Sequence, residues 1–169
     1  MTNIDISFKA EKGSFNYRVG GVALQGDKVL LVTEDRFDFW YLPGGRVSMF
    51  ETSEQALHRE IIEELGETPT IERLLWTTEC LYYFDAWNTH HHDLSFYYLI
   101  RFADKAPIYF LSSGVGKEEF SNETTDLHFR WFDINDLEKI DLRPAFLQRA
   151  LKAIPIQPQH VIVDDLAQV

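Results

Sequence analysis

Residues 44–67 read GGRVSMFETSEQALHREIIEELGE, and this stretch decides the fold of the 169-residue chain. Thr52 and Gln55 have the spacing of a capping box, and Gly66 is a natural residue to end a helix, so a helix is predicted from about Thr52 to Gly66. Residues that recur every four positions predict an apolar stripe facing the core: Leu57, Ile61 and Leu65.

The acidic residues of this helix share one face. At about 100° per residue, Glu63 and Glu64 lie about 60° and 40° to either side of Glu60. Three clustered carboxylates repel one another, and such a cluster is most easily maintained when a hard cation such as Mg²⁺ takes its oxygens as ligands. Arg59 lies four residues before Glu63 and can hold that carboxylate by an ion pair. A solvated acidic face is the alternative for an arbitrary helix.

The chain before the helix has the pattern of a β-hairpin. Residues 15–24 and 28–33 are β-prone and flank the turn-forming Gln25-Gly26-Asp27. Residues 40–42 predict a brief strand, which Pro43 and the following glycine pair end because proline lacks a donor.

The chain after the helix is rich in aromatic and β-branched residues. Two longer strands are predicted at residues 71–85 and 93–102, joined by residues 88–92. Residues 107–122 predict a loop with at most one strand, long enough to suspect a function. The last predicted elements are a strand at residues 127–134, a short helical turn capped by Asn135, a helix at about residues 144–154, and a tail over residues 155–169.

This order of elements predicts an α/β fold made of one domain over residues 1–169, with a helix on each side of a mixed β-sheet. A net charge of −11 and the absence of a basic cluster argue against long nucleic acid as a partner. An acidic protein can still bind a small anion if a divalent cation reverses the local field. No apolar run approaches a membrane span and no signal peptide is evident. With Cys80 as the single cysteine, we expect a cytoplasmic protein without a membrane partner.

The spacing of the whole stretch goes beyond an acidic helix. Gly45 is followed by five residues, Glu51, seven residues, Arg59-Glu60, two residues, Glu63-Glu64, one residue and Gly66. This resembles the Nudix box over residues 45–67, G-x5-E-x7-R-E-U-x-E-E-x-G-U, where U is a bulky apolar residue. Glu67 departs from the pattern at the last apolar position, and Phe50 replaces a small residue. The departures put substrate choice in doubt more than chemistry.

The resemblance implies the Nudix fold, an α/β/α sandwich around a curved mixed sheet, and a Mg²⁺-dependent pyrophosphohydrolase in which Mn²⁺ can substitute. It implies metal ligation by Glu60, Glu63, Glu64 and the backbone carbonyl of Gly44. Glu51 would support the loop and helix, and Arg59 would orient a neighbouring glutamate. The general base is either a box glutamate, Glu60 or Glu64, or an acid from a later loop, Glu123 or Asp126. We favour Glu123 among the late acids, with simple solvent exposure as its alternative.

The substrate implied is a small nucleoside diphosphate linked to another moiety: a nucleotide, a nucleotide sugar or a dinucleoside polyphosphate. Arg18 and Arg46 can donate to phosphate oxygens, with a surface role as the alternative for each. Tyr83 lies sixteen residues after Glu67, where diadenosine-polyphosphate-cleaving members carry a tyrosine. The proline typical of many ADP-ribose pyrophosphatases is absent from this region.

Other interpretations stay open at this point. The aromatic residues between Trp76 and Trp87 can stack a base, although core packing is favoured. They can equally supply a homodimer surface. Residues 90–93 read HHHD, and because consecutive residues of an extended segment point to alternate sides, a polar turn is favoured over a metal site. A catalytically silent Nudix-fold binding or sensor module is the alternative function, and an unrelated calcium-binding helix fits the spacing poorly.

Overall fold

The helix of the box forms as its sequence predicts. In the computed structural model, helix α1 spans Ser53–Leu65, and Thr52 and Gln55 form the reciprocal capping box. Gly66 ends the helix in the left-handed conformation, with φ of 68°. The structure describes residues 4–120 and 123–166; the side chains of residue 86, residues 117–120 and residues 123–124 lie outside this description.

Strands make up most of the rest of the described chain. In chain order they are β1 (Ser7–Ala10), β2 (Gly13–Gln25), β3 (Lys28–Glu34), β4 (Thr70–Phe84), β5 (Thr89–Arg101), β6 (Ser113–Phe120), β7 (Glu123–Asp133) and β8 (Gln159–Asp164). They form a mixed sheet in the order β6-β7-β3-β2-β5-β4-β8, with β1 paired to β2. The β2–β5 and β4–β8 pairs are parallel and the other pairs are antiparallel.

The β2–β3 hairpin opens beyond its turn. The two strands pair at Leu24–Val29 and Gln25–Lys28, and beyond that point another part of the chain fills the gap. Tyr41 exchanges backbone hydrogen bonds with Val32 of β3, and residues 43–47 lie along β2. In place of the strand predicted at residues 40–42, Trp40 and Tyr41 each make a single β-bridge. The opening of the hairpin carries the glycine pair of the box into the sheet.

Two apolar clusters lie on opposite faces of the sheet, because successive strand residues point to opposite sides. Leu30 and Val32 of β3 belong to the cluster that contains Leu57 and Ile61 of α1. Val29 and Leu31, the alternate residues of the same strand, pack instead with the C-terminal part of the chain. The predicted helix on each side of a mixed sheet is therefore confirmed. No helix in the described part of the chain has the length and apolarity to cross a membrane.

Several predicted boundaries in the middle of the chain are wrong. Residues 88–92 are not the connection between the two long strands: a 3₁₀ turn at Asp85–Trp87 makes it, and β5 begins at Thr89. The histidines at positions 90–92 are therefore in a strand rather than a polar turn. Their alternation is as expected, since His91 is buried and its two neighbours are exposed. Residues 107–122, predicted as a loop that could hold one strand, contain strand β6.

The C-terminal predictions also change. Asp133, not Asn135, caps the 3₁₀ turn at Ile134–Lys139, because its side chain accepts from the backbone N–H of Asn135. The helix predicted at about residues 144–154 is a four-residue helix, α2 (Leu147–Ala150), with turns on either side. The tail after residue 155 contains β8, which the sequence did not indicate.

Candidate active site

The glycine pair brings the backbone of the box directly against β2. The N–H of Val19 donates to the carbonyl of Gly45 at 2.9 Å, and the N–H of Gly21 donates to the carbonyl of Pro43 at 2.8 Å. Gly44 has φ of 137°, and a Cβ at this position would lie 2.3 Å from the carbonyl oxygen of Val19. Only glycine fits there without moving the backbone.

Two glutamates of α1 lie buried against these glycines. Glu64 is 2% exposed, and its Oε2 accepts from the N–H of Gly44 at 2.8 Å. Glu60 is 8% exposed, and its carboxyl carbon would lie 2.5 Å from a Cβ at Gly45. Burial raises the pKa of Glu60, and the guanidinium of Arg59 opposes that rise. Gly45 thus leaves the space that the Glu60 carboxyl occupies, and Gly44 supplies the N–H that holds Glu64.

Arg59 ties the helix to the preceding loop. It donates to both carboxylate oxygens of Glu51, from Nε at 2.7 Å and from Nη2 at 3.0 Å. Its Nη1 reaches Glu60 at 2.8 Å and Glu63 at 3.1 Å, so the predicted ion pair with Glu63 is present. Nη2 also donates to the carbonyl of Arg46 at 3.1 Å. One guanidinium therefore fixes three carboxylates relative to the glycine-containing loop.

Glu51 supports that loop from the other side. Besides Arg59, it accepts from the backbone N–H of Ser48 at 3.0 Å. The hydrogen bonds from Arg59, followed by that from Ser48, lower the pKa of Glu51 against the opposing effect of burial. These contacts are the arrangement expected of a residue that holds the loop and helix together.

The predicted metal ligands differ in their surroundings. Glu60 and Glu64 are buried, whereas the Glu63 side chain is 57% exposed. Gly44 uses its N–H on Glu64. Among the described residues, no three acidic, histidine or cysteine side chains are already gathered closely enough to enclose a metal ion. All three carboxylates line one cleft, and Glu63 is the most exposed of them.

Two arginines lie side by side on the same cleft. Arg18 of β2 forms a β-bridge with Arg46. Burial, followed by the charge of Arg18, lowers the pKa of Arg46. For Arg18, burial acts to lower the pKa, but the surrounding charges, chiefly Asp93, outweigh it and raise the pKa. Among the described residues, the Arg18 side chain has no hydrogen bond or ion-pair partner. The two arginines that the sequence predicts as phosphate contacts, Arg18 and Arg46, therefore lie next to each other on the cleft.

A buried polar network that the sequence did not reveal lies next to these arginines. Arg46 Nε donates to Asn16 Oδ1 at 3.0 Å, and Asn16 Nδ2 donates to Asp93 Oδ1 at 2.6 Å. Tyr82 donates to Asp93 Oδ2 at 2.9 Å. Asn16 and Asp93 are 3% and 6% exposed. The sequence holds one hint of this network, since Asp93 is an acidic residue within a strand rich in aromatic residues. Its partner Asn16 lies 77 residues away, so no local pattern links the two.

The cleft has a volume of about 1220 Å³ and is lined by the glutamates, both arginines and a group of aromatic side chains. Tyr83 lines it, is 42% exposed, and donates to Asn88. Trp76, from the same aromatic run, is 1% exposed and belongs to the core, so the run divides between packing and the cleft. Glu34 and Tyr41 also line the cleft, and sequence reasoning missed both.

Of the two late acids, only Asp126 has a described side chain, and it is not brought to the cleft. Asp126 lies in β7, opposite Lys117, and is not one of the residues that line the cleft. The backbone of Glu123 pairs with Phe120, but its side chain lies outside the described residues. The favoured late base therefore stays a prediction.

Comparison with known families agrees with this geometry. The NUDIX domain family matches residues 15–154 of the chain, which include the glycine pair, α1 and both arginines. The chain belongs to the Nudix family. The expected family is thereby confirmed, as is the expectation of a Nudix-type hydrolase.

Solved Nudix structures share the fold. A UDP-X diphosphatase is 21% identical with a TM-score of 0.55; the match covers 85% of this chain and 62% of that one. An ADP-ribose pyrophosphatase from Streptococcus suis 89-1591 is 19% identical with a TM-score of 0.56, over 87% and 98% of the two chains. A Nudix hydrolase from Nitrosomonas europaea is 18% identical with a TM-score of 0.56, over 87% and 78%. The chain thus spans less than two thirds of that UDP-X diphosphatase. No curated protein matches the sequence.

Proposed function

We propose that this Nudix hydrolase cleaves a diphosphate linkage in a nucleoside diphosphate joined to another moiety, with Mg²⁺ as its cofactor and Mn²⁺ as a substitute. The observation that carries the proposal is the convergence of Glu60, Glu63 and Glu64 with Arg18 and Arg46 on one cleft. Acidic ligands for a cation and cationic ligands for an anion are the two requirements of phosphoryl transfer.

The donor set fits a hard divalent cation. Glu60, Glu63 and Glu64 offer carboxylate oxygens from one helix, which is the ligand type that Mg²⁺ prefers. The glycine at position 45 leaves the Glu60 carboxyl in space that any side chain there would take. Bound at these residues, the cation would neutralise charge on phosphate oxygens and make a water molecule more acidic.

The protein groups divide the remaining work. Arg18 and Arg46 hold diphosphate oxygens through their N–H groups. A carboxylate, either Glu60 or Glu64 of the box or the later Glu123, accepts a proton from the attacking water. The water oxygen forms a new bond to phosphorus while the bridging P–O bond breaks, and its electron pair leaves with the departing phosphate group. Arg59, itself held by Glu51, keeps the carboxylates of Glu60 and Glu63 in position.

A substrate panel with matched variants tests this proposal. ADP-ribose, a UDP-sugar and diadenosine polyphosphates are incubated with Mg²⁺, and products are separated by chromatography. Glu63→Gln and Glu64→Gln should each lower the rate by at least about 10²-fold. Glu54→Gln is the matched control, because Glu54 is an exposed glutamate of α1 that does not line the cleft.

The alternative outcome identifies a binding module. If no compound yields product with either metal while a nucleotide still binds by calorimetry, the protein is a silent Nudix-fold sensor and the proposal is wrong. Equal losses in Glu54→Gln and Glu64→Gln would show that the effect is on folding rather than on the chemistry.

A further inference from the structure

The polar network behind the two arginines extends to a buried histidine. His91 of β5 is 6% exposed and lies between β2 and β4, opposite Ser14 and Tyr82. Its ring lies against that of Tyr82, with centroids 5.1 Å apart and planes 11° from parallel. The described residues that line the cleft include Arg46 but neither His91 nor Asn16. His91 can therefore affect a bound substrate only through the residues that separate it from the cleft.

The side-chain amide of Asn16 is held in one orientation by its partners. Its Oδ1 accepts from Arg46 Nε at 3.0 Å, and its Nδ2 donates to Asp93 Oδ1 at 2.6 Å. A guanidinium has only donors and a carboxylate only acceptors, so exchanging the amide oxygen and nitrogen would break both contacts. His91 Nδ1 lies 3.4 Å from the same Nδ2, which has a second hydrogen. Asn16 therefore faces the histidine as a donor.

This contact determines where the histidine ring carries its proton. Nδ1 of His91 faces the donor of Asn16 and also Ser14 Oγ at 3.0 Å, and a hydroxyl can donate as well as accept. Nδ1 is therefore the acceptor, which places the proton of the neutral ring on Nε2. Nε2 is buried and has no hydrogen-bond partner among the described residues. The one acceptor nitrogen of the ring is thus directed at Asn16 and Ser14.

The charged and titratable groups around the ring keep it neutral at neutral pH. Burial has the largest effect and lowers the pKa of His91; the charge of Asp93 opposes this effect, and the charges of Arg18 and Arg46 add to it. Tyr82 faces the ring from β4, and burial raises the pKa of its hydroxyl, so Tyr82 stays uncharged. The ring therefore takes up a proton only as pH falls below the ordinary range of a histidine.

We propose that His91 is a positioning residue for the arginine pair, and that its unprotonated Nδ1 keeps Asn16 oriented to hold Arg46 in the cleft. The inference rests on the proposed function, because it takes Arg18 and Arg46 as the site of the diphosphate. A proton on Nδ1 would point at the N–H of Asn16, so the amide would move away. Since the same amide donates to Asp93, whose charge faces Arg18, both arginines would lose support. Anion binding should therefore weaken when His91 is protonated.

A histidine that acted only through its charge would have the opposite effect. One more positive charge near Arg18 and Arg46 strengthens the attraction for an anion. Protonation of His91 would then tighten anion binding as pH falls, whereas the positioning role predicts weaker binding. The direction of the pH dependence distinguishes the two roles.

Sulfate binding tests the positioning role without turnover or metal. Sulfate is a tetrahedral dianion whose charge is constant between pH 8 and pH 5, and calorimetry in EDTA gives its Kd across this range. In His91→Asn, Oδ1 lies as many bonds from Cα as Nδ1 does and takes up no proton. This variant should match the wild type at pH 8 and bind more tightly than the wild type once His91 is protonated. Protonation of the cleft glutamates affects both proteins alike.

A second variant removes the acceptor at every pH. His91→Phe keeps a ring against Tyr82 but has no acceptor, so its Kd for sulfate at pH 8 should exceed that of His91→Asn by about 2- to 12-fold. That range corresponds to about 0.5–1.5 kcal/mol for one hydrogen bond. His92→Asn is the matched control, because His92 is the exposed neighbour on the same strand, and its pH profile should equal that of the wild type. Circular dichroism verifies that each variant is folded.

NMR of the imidazole nitrogens gives a readout that does not depend on binding. The His91 signals, identified by their absence in His91→Asn, should show a protonated Nε2 and an unprotonated Nδ1 at pH 8. Their titration gives the pH at which the ring takes up its proton, and the sulfate affinity of the wild type should fall through that pH. A proton on Nδ1 at pH 8 overturns the inference.

The other outcomes separate this inference from the proposed function. A folded His91→Phe that binds sulfate as tightly as His91→Asn overturns the positioning role even if a diphosphate is hydrolysed. His91-dependent sulfate binding with no hydrolysis of any compound overturns the proposed chemistry and leaves the positioning role standing. Unchanged sulfate affinity in Arg46→Gln overturns the arginine pair itself as an anion site.

Discussion

A single methyl group at Gly45 should disable the site while sparing the fold. In Gly45→Ala the new Cβ would lie 2.5 Å from the carboxyl carbon of Glu60, and ordinary van der Waals contact begins at 3.4 Å. The carboxyl group must therefore move by about 0.9 Å. A displacement of about 1 Å at a catalytic group can cost about 10²-fold in rate, so kcat should fall by about that factor.

The effect on stability should be small, because the atoms that must move are at the end of a flexible side chain. Gly44→Ala differs: its Cβ would lie 2.3 Å from a backbone oxygen of Val19, at φ of 137°. That variant should lose folding stability. Gly66→Ala is the control for introducing a methyl group at a positive φ, since nothing lies within 4 Å of its Cβ; we expect a cost of about 1 kcal/mol and an unchanged kcat.

Steady-state kinetics and thermal unfolding of the three alanine variants distinguish these effects. The reasoning predicts a low kcat with a near-native Tm for Gly45→Ala, and a low Tm for Gly44→Ala. It is refuted if Gly45→Ala keeps a wild-type kcat, or if Gly66→Ala loses as much activity as Gly45→Ala.

Three further predictions concern the surroundings of the site. Asn16→Ala leaves Asp93 without its 2.6 Å donor, so urea denaturation should show that the free energy of unfolding falls by about 1–3 kcal/mol. KM should rise more than kcat falls, because Arg46 loses its hydrogen bond to Asn16. A selective fall in kcat contradicts this. The hydrogen bonds from Arg59 hold the pKa of Glu51 below its usual value, so the ionised form favours the folded state at neutral pH, and this contribution disappears as pH falls through the lowered pKa. The Tm gap between wild type and Glu51→Gln should therefore close in acid, and a gap that widens refutes the ion pair. Burial raises the pKa of the Cys80 thiol to about 11. Iodoacetamide should therefore modify Cys80 slowly at pH 8 in the folded protein and faster once urea unfolds it. Equal rates of modification in the two states contradict the burial.

The sequence predicted those elements whose signals are local. The capping box and Gly66 bound α1 through contacts within a few residues, and the β2–β3 turn is equally local. Strand β8 depends on parallel pairing with β4, in which Trp76 lies opposite Gln159, and most of its residues are exposed. Nothing within its six residues indicates that distant partner.

The C-terminal helix shows what periodicity does and does not specify. Its spacing identified buried residues correctly, since Leu147 and Leu151 are both in the core. The hydrogen bonds on either side of α2 nevertheless run from i to i−3, as from Leu147 to Pro144 and from Lys152 to Arg149. An apolar face can therefore be maintained by helical turns without a continuous α-helix.

Some parts of the candidate site are likewise set by local sequence, and others by contacts between distant parts of the chain. The carboxylate face belongs to one helix and was predictable from spacing. The arginine pair needed the opening of the β2–β3 hairpin, which allows Arg46 to bridge to Arg18. The aromatic side chains that line the cleft come from the segment after β3 and from the β4–β5 turn, and Arg143 joins them from a third part of the chain. Contacts between such distant segments are set by tertiary packing and leave no short-range pattern in the sequence.

The charge arrangement explains how an acidic protein can admit an anion. With a net charge of −11, the chain repels diphosphates at long range, and Glu60, Glu63 and Glu64 add to that repulsion within the cleft. Arg18 and Arg46 oppose it locally. Under the proposed function, the arginines would hold the substrate, while the glutamates become favourable toward its phosphates only through a shared cation. Binding and chemistry would then depend on different side chains of one cleft, so substitutions at Arg18 and at Glu64 should affect different kinetic constants.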